Sequence, residues 1–215
     1  MKQRLFSSLD GDRCFPNRCL PVVLLLAAIL CLGWAETWEG IRAAAGGVEA
    51  ISADFVQEKH LPILVKPLVS TGRMFYRRPD ALRWEYTSPL KSVLLMRNGE
   101  TRRFVQSDQG LVEDAGARMQ AMQFVMPEIS GWLEGRFEDN PLFVAALEDN
   151  GRILLVPKDS AMSRFIQRIE LILSERPGVI DEVVIVEGEN AFTRIVFDNT
   201  RINPVLADSL FQDAQ

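Results

Sequence analysis

Apolar and polar residues alternate with a period of two along much of the chain, and this alternation constrains the fold more than any other feature of the sequence. The segment 82–87 gives the pattern in its plainest form: Leu82, Arg83, Trp84, Glu85, Tyr86 and Thr87. Because successive side chains of a β-strand point to opposite faces, such alternation predicts strands with one buried face. The chain is therefore predicted to be mainly β.

Short turns separate the alternating segments. The clearest is Asn98-Gly99, a pair typical of a two-residue hairpin turn. Arg78-Pro79-Asp80 predicts another turn, because proline fixes its own φ and pushes the preceding residue towards extended geometry. Strands are predicted from Ile51 onward and at 68–77, 82–87, 91–97, 100–106, 142–148, 152–157, 165–174, 179–187 and 191–198. About nine to eleven such strands predict a large antiparallel sheet that curls into an incomplete barrel.

Two segments have helical spacing instead. In 36–50, four apolar residues share one helical face: Trp38, Ile41, Ala45 and Val48. In 118–133, five more recur at helical spacing: Met119, Met122, Met126, Ile129 and Leu133. Pro127 is predicted to end one helix and begin another, and the tail 204–211 to close with a short helical turn. A helical insert beside an open sheet could cover its open side as a lid.

The first 35 residues have the organisation of a signal peptide. Basic residues precede an apolar run from Leu20 to Leu32, and Gly33-Trp34-Ala35 offers small residues for cleavage near Ala35. The run is short for a membrane span, which needs about 20 apolar residues. The leader predicts export to the periplasm and leaves 36–215 as a single domain. An uncleaved N-terminal anchor is one alternative, and lipidation at Cys31 another.

Composition narrows what residues 36–215 can do. All three cysteines, Cys14, Cys19 and Cys31, lie in the leader, so the remainder has neither a disulfide nor a thiol nucleophile. The leader holds four basic and two acidic residues, and the remaining 20 basic and 27 acidic residues give a net charge of −7. This charge argues against nucleic acid or an anionic lipid surface as the main partner.

Catalytic patterns are missing from the same part of the sequence. His60 is the only histidine, and no serine lies in a Gly-x-Ser-x-Gly context. Neighbouring carboxylates such as Glu113-Asp114 lack the spacing of a metal-binding loop. A pair of carboxylates suited to glycoside chemistry stays open, because nothing singles one out. The sequence favours a binding protein without cofactor or metal over an enzyme.

Apolar side chains are the remaining candidates for a site. The aromatic residues of 55–86 alternate as one face of a curved sheet requires, and methionine is flexible enough to accommodate changing apolar shapes. An open sheet under a Met-lined helix would form a lidded apolar pocket. The alternative is an ordinary packed core, in which the same aromatic and methionine residues only fill space.

The motifs resemble the LolA family of periplasmic carriers of outer-membrane lipoproteins. The resemblance rests on Phe55-Val56-Gln57 and on the run from Gly72 to Pro89, which has a strand, a basic-proline turn and an aromatic strand in order. The Asn98-Gly99 hairpin and the segment from Asn203 to Phe211 also fit the family's layout. The resemblance implies an incomplete antiparallel barrel closed by a helical lid, with a cavity for acyl chains.

Site residues follow from the resemblance and from the alternation. By motif, Arg78 is the basic residue that bonds to the lid and holds it shut, and Leu82 faces the cavity, with Trp84 on the same face. The expected cavity residues are Phe55, Met74, Tyr76, Leu82, Trp84, Tyr86, Met119, Met122, Met126 and Ile129. The resemblance also implies an inner-membrane Lol-type ABC transporter as donor and an outer-membrane LolB-type protein, or an equivalent, as acceptor. The carrier is expected to be a monomer.

The segment from Lys59 to Ser70 departs from the family, because it is more apolar than the polar hairpin of typical carriers. It resembles a LolA-like branch associated with other outer-membrane lipids or glycolipids, so the cargo is an acylated lipoprotein or a related lipid. One alternative function is a periplasmic lipid-sensing or protein-interaction module with the same fold. The other is an enzyme that acts on lipids.

Overall fold

The computed structural model describes residues 37–114, 122–148 and 150–214. Within these residues the chain forms two α-helices and eleven β-strands. The helices are α1, Trp38–Gly46, and α2, Met122–Leu133. The strands are β1 Ala50–His60, β2 Leu68–Arg77, β3 Ala81–Ser88, β4 Ser92–Arg97, β5 Glu100–Ser107, β6 Gly110–Glu113, β7 Phe143–Glu148, β8 Arg152–Pro157, β9 Arg168–Leu173, β10 Ile180–Gly188 and β11 Ala191–Ile202. Two short 3₁₀ helices, Met162–Arg164 and Asp208–Phe211, complete the described elements.

All eleven described strands belong to one antiparallel sheet. Its order is β6-β5-β4-β3-β2-β1-β11-β10-β9-β8-β7, so each strand pairs with its neighbour in sequence except where β1 pairs with β11. The strands β6 and β7 end the sheet, and no pairing joins them within the described residues. The predicted fold class, an incomplete antiparallel barrel with a helical lid, is confirmed.

Most of the predicted elements lie within two residues of the observed ones, and the differences have physical reasons. The four-residue strand β6 was missed because it is too short to develop an alternating pattern. The break predicted at Pro127 is wrong, since α2 is helical without interruption from Met122 to Leu133. A proline removes one backbone donor from a helix, and the apolar contacts of Ile129, Trp132 and Leu133 with the sheet hold this helix together.

The main core lies on the concave face of the sheet. Phe55 packs on Trp84 with ring centroids 4.5 Å apart and meets Tyr86 edge-on at 5.3 Å. Gly72 on the neighbouring strand makes this possible, because a Cβ there would overlap the Phe55 ring and the Glu85 carbonyl oxygen. The three aromatic residues therefore form one layer across β1 and β3.

A second, smaller core lies on the opposite face and fixes the end of the chain. Val93, Leu95 and Phe104 pack there with Ala214. Arg83, which is buried, donates hydrogen bonds to the carbonyls of Leu210, Asp213 and Ala214 at 3.2, 2.7 and 3.2 Å. Its Nε lies 3.1 Å from the carboxylate of Glu85, which balances its charge. The final segment is thus held against β3 and β4.

The described helices are short. Neither of them combines the length and the apolar character that crossing a membrane would require.

Candidate functional site

An apolar cavity separates the concave face of the sheet from α2. Twelve of its thirteen lining residues are apolar, and the exception is Thr200. The lining consists of Ile51, Ala53, Met74, Trp84, Ile129, Trp132, Leu133, Val179, Ile180, Val183, Ile195, Phe197 and Thr200. The free volume is about 40 Å³. That volume holds on the order of three water molecules, so the helix packs closely on the sheet around the cavity.

Strand register brings the cavity wall together. Ala53 of β1 lies opposite Met74 of β2, which in turn lies opposite Trp84 of β3. On the other side of β1, Ile195 of β11 lies opposite Val183 of β10. Because these positions share one face of the pleat, period-two patterns in five strands converge on a single apolar wall.

The C-terminal half of α2 forms the opposite wall. Ile129, Trp132 and Leu133 are spaced i, i+3 and i+4, so all three face the sheet and are buried. Trp132 also packs edge-on against Phe143 at the start of β7, with ring centroids 6.4 Å apart. The other side of the helix faces a polar groove, where Ser130 and Glu134 lie. The C-terminal half of α2 is therefore amphipathic and covers the sheet as a lid would.

Polar contacts fix the end of this lid. The hydroxyl of Tyr76, on β2, donates to Glu134 Oε1 at 3.1 Å, and Glu134 also pairs with Arg136. Burial raises the pKa of the Tyr76 phenol, because the charged form would be poorly solvated there. Asn140 Nδ2 donates to the Glu128 carboxylate on α2, so the segment after the helix is tied back to it.

Arg78 joins the sheet to α1. Its Nη2 donates to the carbonyl of Ala45, near the end of α1, at 2.9 Å. Helix α1 in turn contacts the segment that follows α2, through the ion pair of Arg42 with Glu138 at 3.0 Å and the ring contact of Trp38 with Phe137 at 5.7 Å. The guanidinium of Arg78 therefore contacts α1, and α1 contacts the segment that follows the lid. No hydrogen bond from Arg78 to α2 is found among the described residues.

Gly135 makes the junction of α1 and the lid possible. Its φ is +71°, in the left-handed region, and a Cβ there would lie 2.9 Å from the Cα of Arg42 and 3.2 Å from the Cβ of Ala45. Only glycine allows so close an approach with this backbone. The chain after α2 therefore packs directly against the backbone of α1.

The structure brings together some of the residues expected at the cavity. Met74, Trp84 and Ile129 line it. Phe55, Tyr76 and Leu82 are buried in the same core without lining the free space. Tyr86 is half-buried and donates to Gln57 Oε1 at 2.8 Å, and burial raises the pKa of its phenol. Met119 lies outside the described residues, and so do the side chains of Met122 and Met126.

Several lining residues were missed at the sequence level. On β10 and β11 these are Val183, Ile195 and Phe197, and on α2 it is Trp132. The signal was present, because the same period-two alternation runs through both strands and Trp132 follows Ile129 at helical spacing. No local pattern in the sequence predicts the pairing of β1 with β11, which places the last strand beside the first.

His60 lies away from the cavity, at the end of β1. Its ring stacks on Phe192 with centroids 4.2 Å apart, and its Nε2 is 3.5 Å from the Glu58 carboxylate. Among the residues that the structure describes, no three His, Cys, Asp or Glu side chains come together as metal ligands would.

The open antiparallel sheet and the amphipathic helix over its apolar face define a class of protein, an incomplete barrel with a helical lid. A family model described as "Outer membrane lipoprotein carrier protein LolA" matches residues 46–213. The chain belongs to the LolA family. The resemblance inferred from the motifs is thereby confirmed.

Solved structures with a similar chain path are distant in sequence. A LolA superfamily protein from Nitrosomonas europaea is 10% identical over 82% of this chain and 98% of its own, with a TM-score of 0.43. A DUF1329 family protein from Desulfovibrio piger is 10% identical over 81% and 95%, with a TM-score of 0.47. A chain of the MucA/MucB complex from Pseudomonas aeruginosa is 14% identical over 82% and 60%, with a TM-score of 0.47. No curated protein matches the chain significantly.

Proposed function

We propose that this protein is an exported carrier that holds the acyl chains of a lipoprotein, or of a related lipid, between the sheet and α2. The observation that carries the proposal is the cavity itself, whose lining is apolar except for Thr200 and which is covered by an amphipathic helix. The family match supports the same reading, since its description names a lipoprotein carrier.

Cargo entry requires the lid to move. A cavity of about 40 Å³ is too small for a long acyl chain, because it has room for only about three water molecules. The space must therefore come from displacing Ile129, Trp132 and Leu133 from the sheet. An acyl chain and the apolar face of α2 then compete for the same wall.

This competition explains how a carrier can both hold and release an apolar chain. Each buried methylene contributes roughly 0.8 kcal/mol, so an acyl chain that crosses water unprotected is strongly disfavoured. In the carrier, part of that gain is offset by the loss of the contacts between α2 and the sheet. The net affinity is lowered, and release restores the closed lid without an external energy source.

Unpaired indole donors in the cavity wall favour an acyl ester or amide over a plain hydrocarbon. Trp84 and Trp132 line the cavity and are buried, and neither indole Nε1 has a hydrogen-bond partner among the described residues. An unpaired buried donor is costly, by about 1–3 kcal/mol. The carbonyl oxygen at the head of an acyl chain would satisfy it once the lid has opened.

We expect the carrier to act in the periplasm, which the family match and the leader predicted from the sequence support. Its proposed route runs from an inner-membrane Lol-type ABC transporter to an outer-membrane LolB-type acceptor or an equivalent protein. The carrier works as a monomer and converts nothing chemically. It acts as a chaperone in lipoprotein transport and outer-membrane biogenesis.

The test compares two phenylalanines on one strand. Phe197 lines the cavity, whereas Phe192, five residues earlier on β11, stacks on His60 away from it, and both are half-buried. The protein is titrated with a fluorescent palmitoyl probe. Phe197→Asp is expected to weaken probe binding by about tenfold or more, because a carboxylate replaces apolar wall, while Phe192→Asp stays within about twofold of the unaltered protein.

Equal effects of the two substitutions would contradict the assignment of the cavity, and absence of probe binding by the unaltered protein would contradict the carrier. The same preparation separates the alternatives. A probe that is hydrolysed or transferred covalently would point to an enzyme. Probe binding without any transfer between donor and acceptor vesicles would point to a sensor.

A further inference from the structure

The hairpin between β1 and β2 carries apolar side chains into solvent. Val65 is 102% exposed and Ile63 87%, and Leu64 is exposed as well. The first two residues of β2, Leu68 and Val69, are also exposed, although neighbouring residues of a strand point to opposite faces. Because both faces are uncovered, this end of the hairpin projects from the sheet.

Another loop adds an exposed apolar side chain at the same end of the sheet. Thr71 pairs with Ser88, so the beginning of β2 lies beside the end of β3, and the β3–β4 connection starts there. That connection presents Leu90, which is 79% exposed. The two loops together form an apolar tip, defined here as Ile63, Leu64, Val65, Leu68, Val69 and Leu90.

The tip takes no part in the cavity. Ala53 lines the cavity on β1 and the strand continues to His60, so the tip lies roughly 20–25 Å away along the strand. The loop has local order of its own, since Leu64 N donates to Leu61 O at 2.9 Å and proline residues stand at 62 and 67. An ordered, exposed apolar feature of this kind marks an interaction site.

We propose that the apolar tip docks the protein on a lipid bilayer. The tip is convex and purely aliphatic, whereas protein interfaces are centred on Trp, Tyr and Arg residues in packed pockets. Lys66 and Lys91 are exposed beside it, where their long side chains can reach anionic headgroups while Ile63 and Val65 enter the acyl region. Of the carboxylates on β1 and β10 near this end of the sheet, Glu187 pairs with Lys59 at 3.2 Å, and Glu58 lies 3.5 Å from His60 Nε2.

The net charge argued against an anionic lipid surface as the main partner, and the apolar tip with its two lysines refines that expectation. The overall negative charge opposes strong electrostatic adsorption, and a few aliphatic side chains give only weak, reversible insertion. Weak docking suits a protein that must leave the membrane again. The proposal goes beyond the carrier function, because a protein that binds lipid in solution need not touch a bilayer.

The test is flotation with vesicles of phosphatidylethanolamine and phosphatidylglycerol. Protein is purified from the periplasm, and its mass is checked for loss of the leader. Val65→Asp is compared with Val205→Asp, a matched control in which a valine that is 103% exposed elsewhere receives the same charge. The vesicle-bound to free ratio is expected to fall about tenfold for Val65→Asp and about a hundredfold for Ile63→Asp with Val65→Asp, but not for Val205→Asp.

Binding of the palmitoyl probe is measured on the same variants. It should stay unchanged, because the substitutions lie on exposed side chains away from the cavity, and this result separates the tip from the carrier function. If the unaltered protein does not float, the tip does not dock on membranes. If Val205→Asp reduces flotation as much as Val65→Asp does, general charge repulsion explains the binding and the proposal is wrong.

Discussion

Arg78 illustrates how one side chain can couple separate parts of the fold. It leaves the β2–β3 turn and reaches the last turn of α1, and α1 packs on the segment that follows the lid. The motif suggested a direct bond to the lid. The structure instead gives a bond to α1, a difference that turn chemistry alone could not predict because it depends on where α1 packs beside the β2–β3 turn.

Arg78→Leu is expected to loosen α1. Loss of a hydrogen bond from a charged donor should lower the free energy of unfolding by about 1–2 kcal/mol. It should also speed amide hydrogen exchange in α1 by about tenfold. Arg77→Leu is the matched control, because Arg77 pairs with the exposed Asp208 and touches Phe211 at the other end of the chain. Equal exchange rates in the two variants would show that Arg78 does not hold α1.

Tyr76 and Tyr86 predict a loss of stability in alkaline solution. Burial raises the pKa of both phenols above the ordinary value of 10.0. The folded state therefore holds these protons more tightly than the unfolded state. Stability is unaffected below pH 10 and falls as the pH rises above it.

Urea unfolding at about pH 9 and about pH 11 measures this effect. The unaltered protein should lose more stability between the two than the double variant Tyr76→Phe with Tyr86→Phe, in which neither group titrates. The double variant is expected to have a lower free energy of unfolding already at about pH 9, because the hydrogen bonds to Glu134 and Gln57 are lost. A parallel decline in both proteins would mean that other groups control the alkaline limit.

At the scale of elements, local patterns located most strands and failed where long-range packing decides. The alternation in 51–106 and 142–198 located ten of the eleven described strands, because the period of two is a local property. Pro127 favoured a break, yet α2 continues, because contacts of Ile129 and Trp132 with the sheet outweigh one lost backbone bond. The wall formed by β10 and β11 depends on pairing across most of the sequence, which no local pattern specifies.

The buried side chain of Arg83 makes three of the hydrogen bonds that hold the C-terminal segment against the sheet. Arg83→Met removes bonds to three backbone carbonyls and leaves Glu85 with only the partly exposed Arg73 as a cationic neighbour among the described residues. Breaking a buried ion pair in this way is expected to lower the free energy of unfolding by about 3–5 kcal/mol. Carboxypeptidase digestion should also reach residues 208–214 faster.

The double variant Arg83→Met with Glu85→Met should regain part of the lost stability, since no charge is then left buried. Arg102→Met provides the surface control. Arg102 pairs with Glu113 in solvent, so its loss should change the free energy of unfolding very little. A cost for Arg83→Met as small as that of the control would contradict the role given to Arg83.

In the molecule as a whole, the open sheet and the helix α2 complement each other, because the helix covers the apolar face that the sheet leaves accessible. A sheet that closed on itself would bury its apolar face permanently, whereas this sheet leaves that face to α2. The cavity has a free volume of only about 40 Å³. Under the proposed function, an acyl chain would therefore bind by taking the place of α2 on the sheet. The apolar tip lies at a different place on the same sheet. The proposed membrane docking and the proposed binding of acyl chains therefore use separate surfaces.

Native mass spectrometry of protein purified from the periplasm can show whether the wall under α2 holds acyl chains. An acylated species is expected at one per protein. This species should be lost from Phe197→Asp and retained by Phe192→Asp. Protein that carries no acylated molecule, or whose bound lipid is unaffected by Phe197→Asp, would show that this wall does not hold acyl chains.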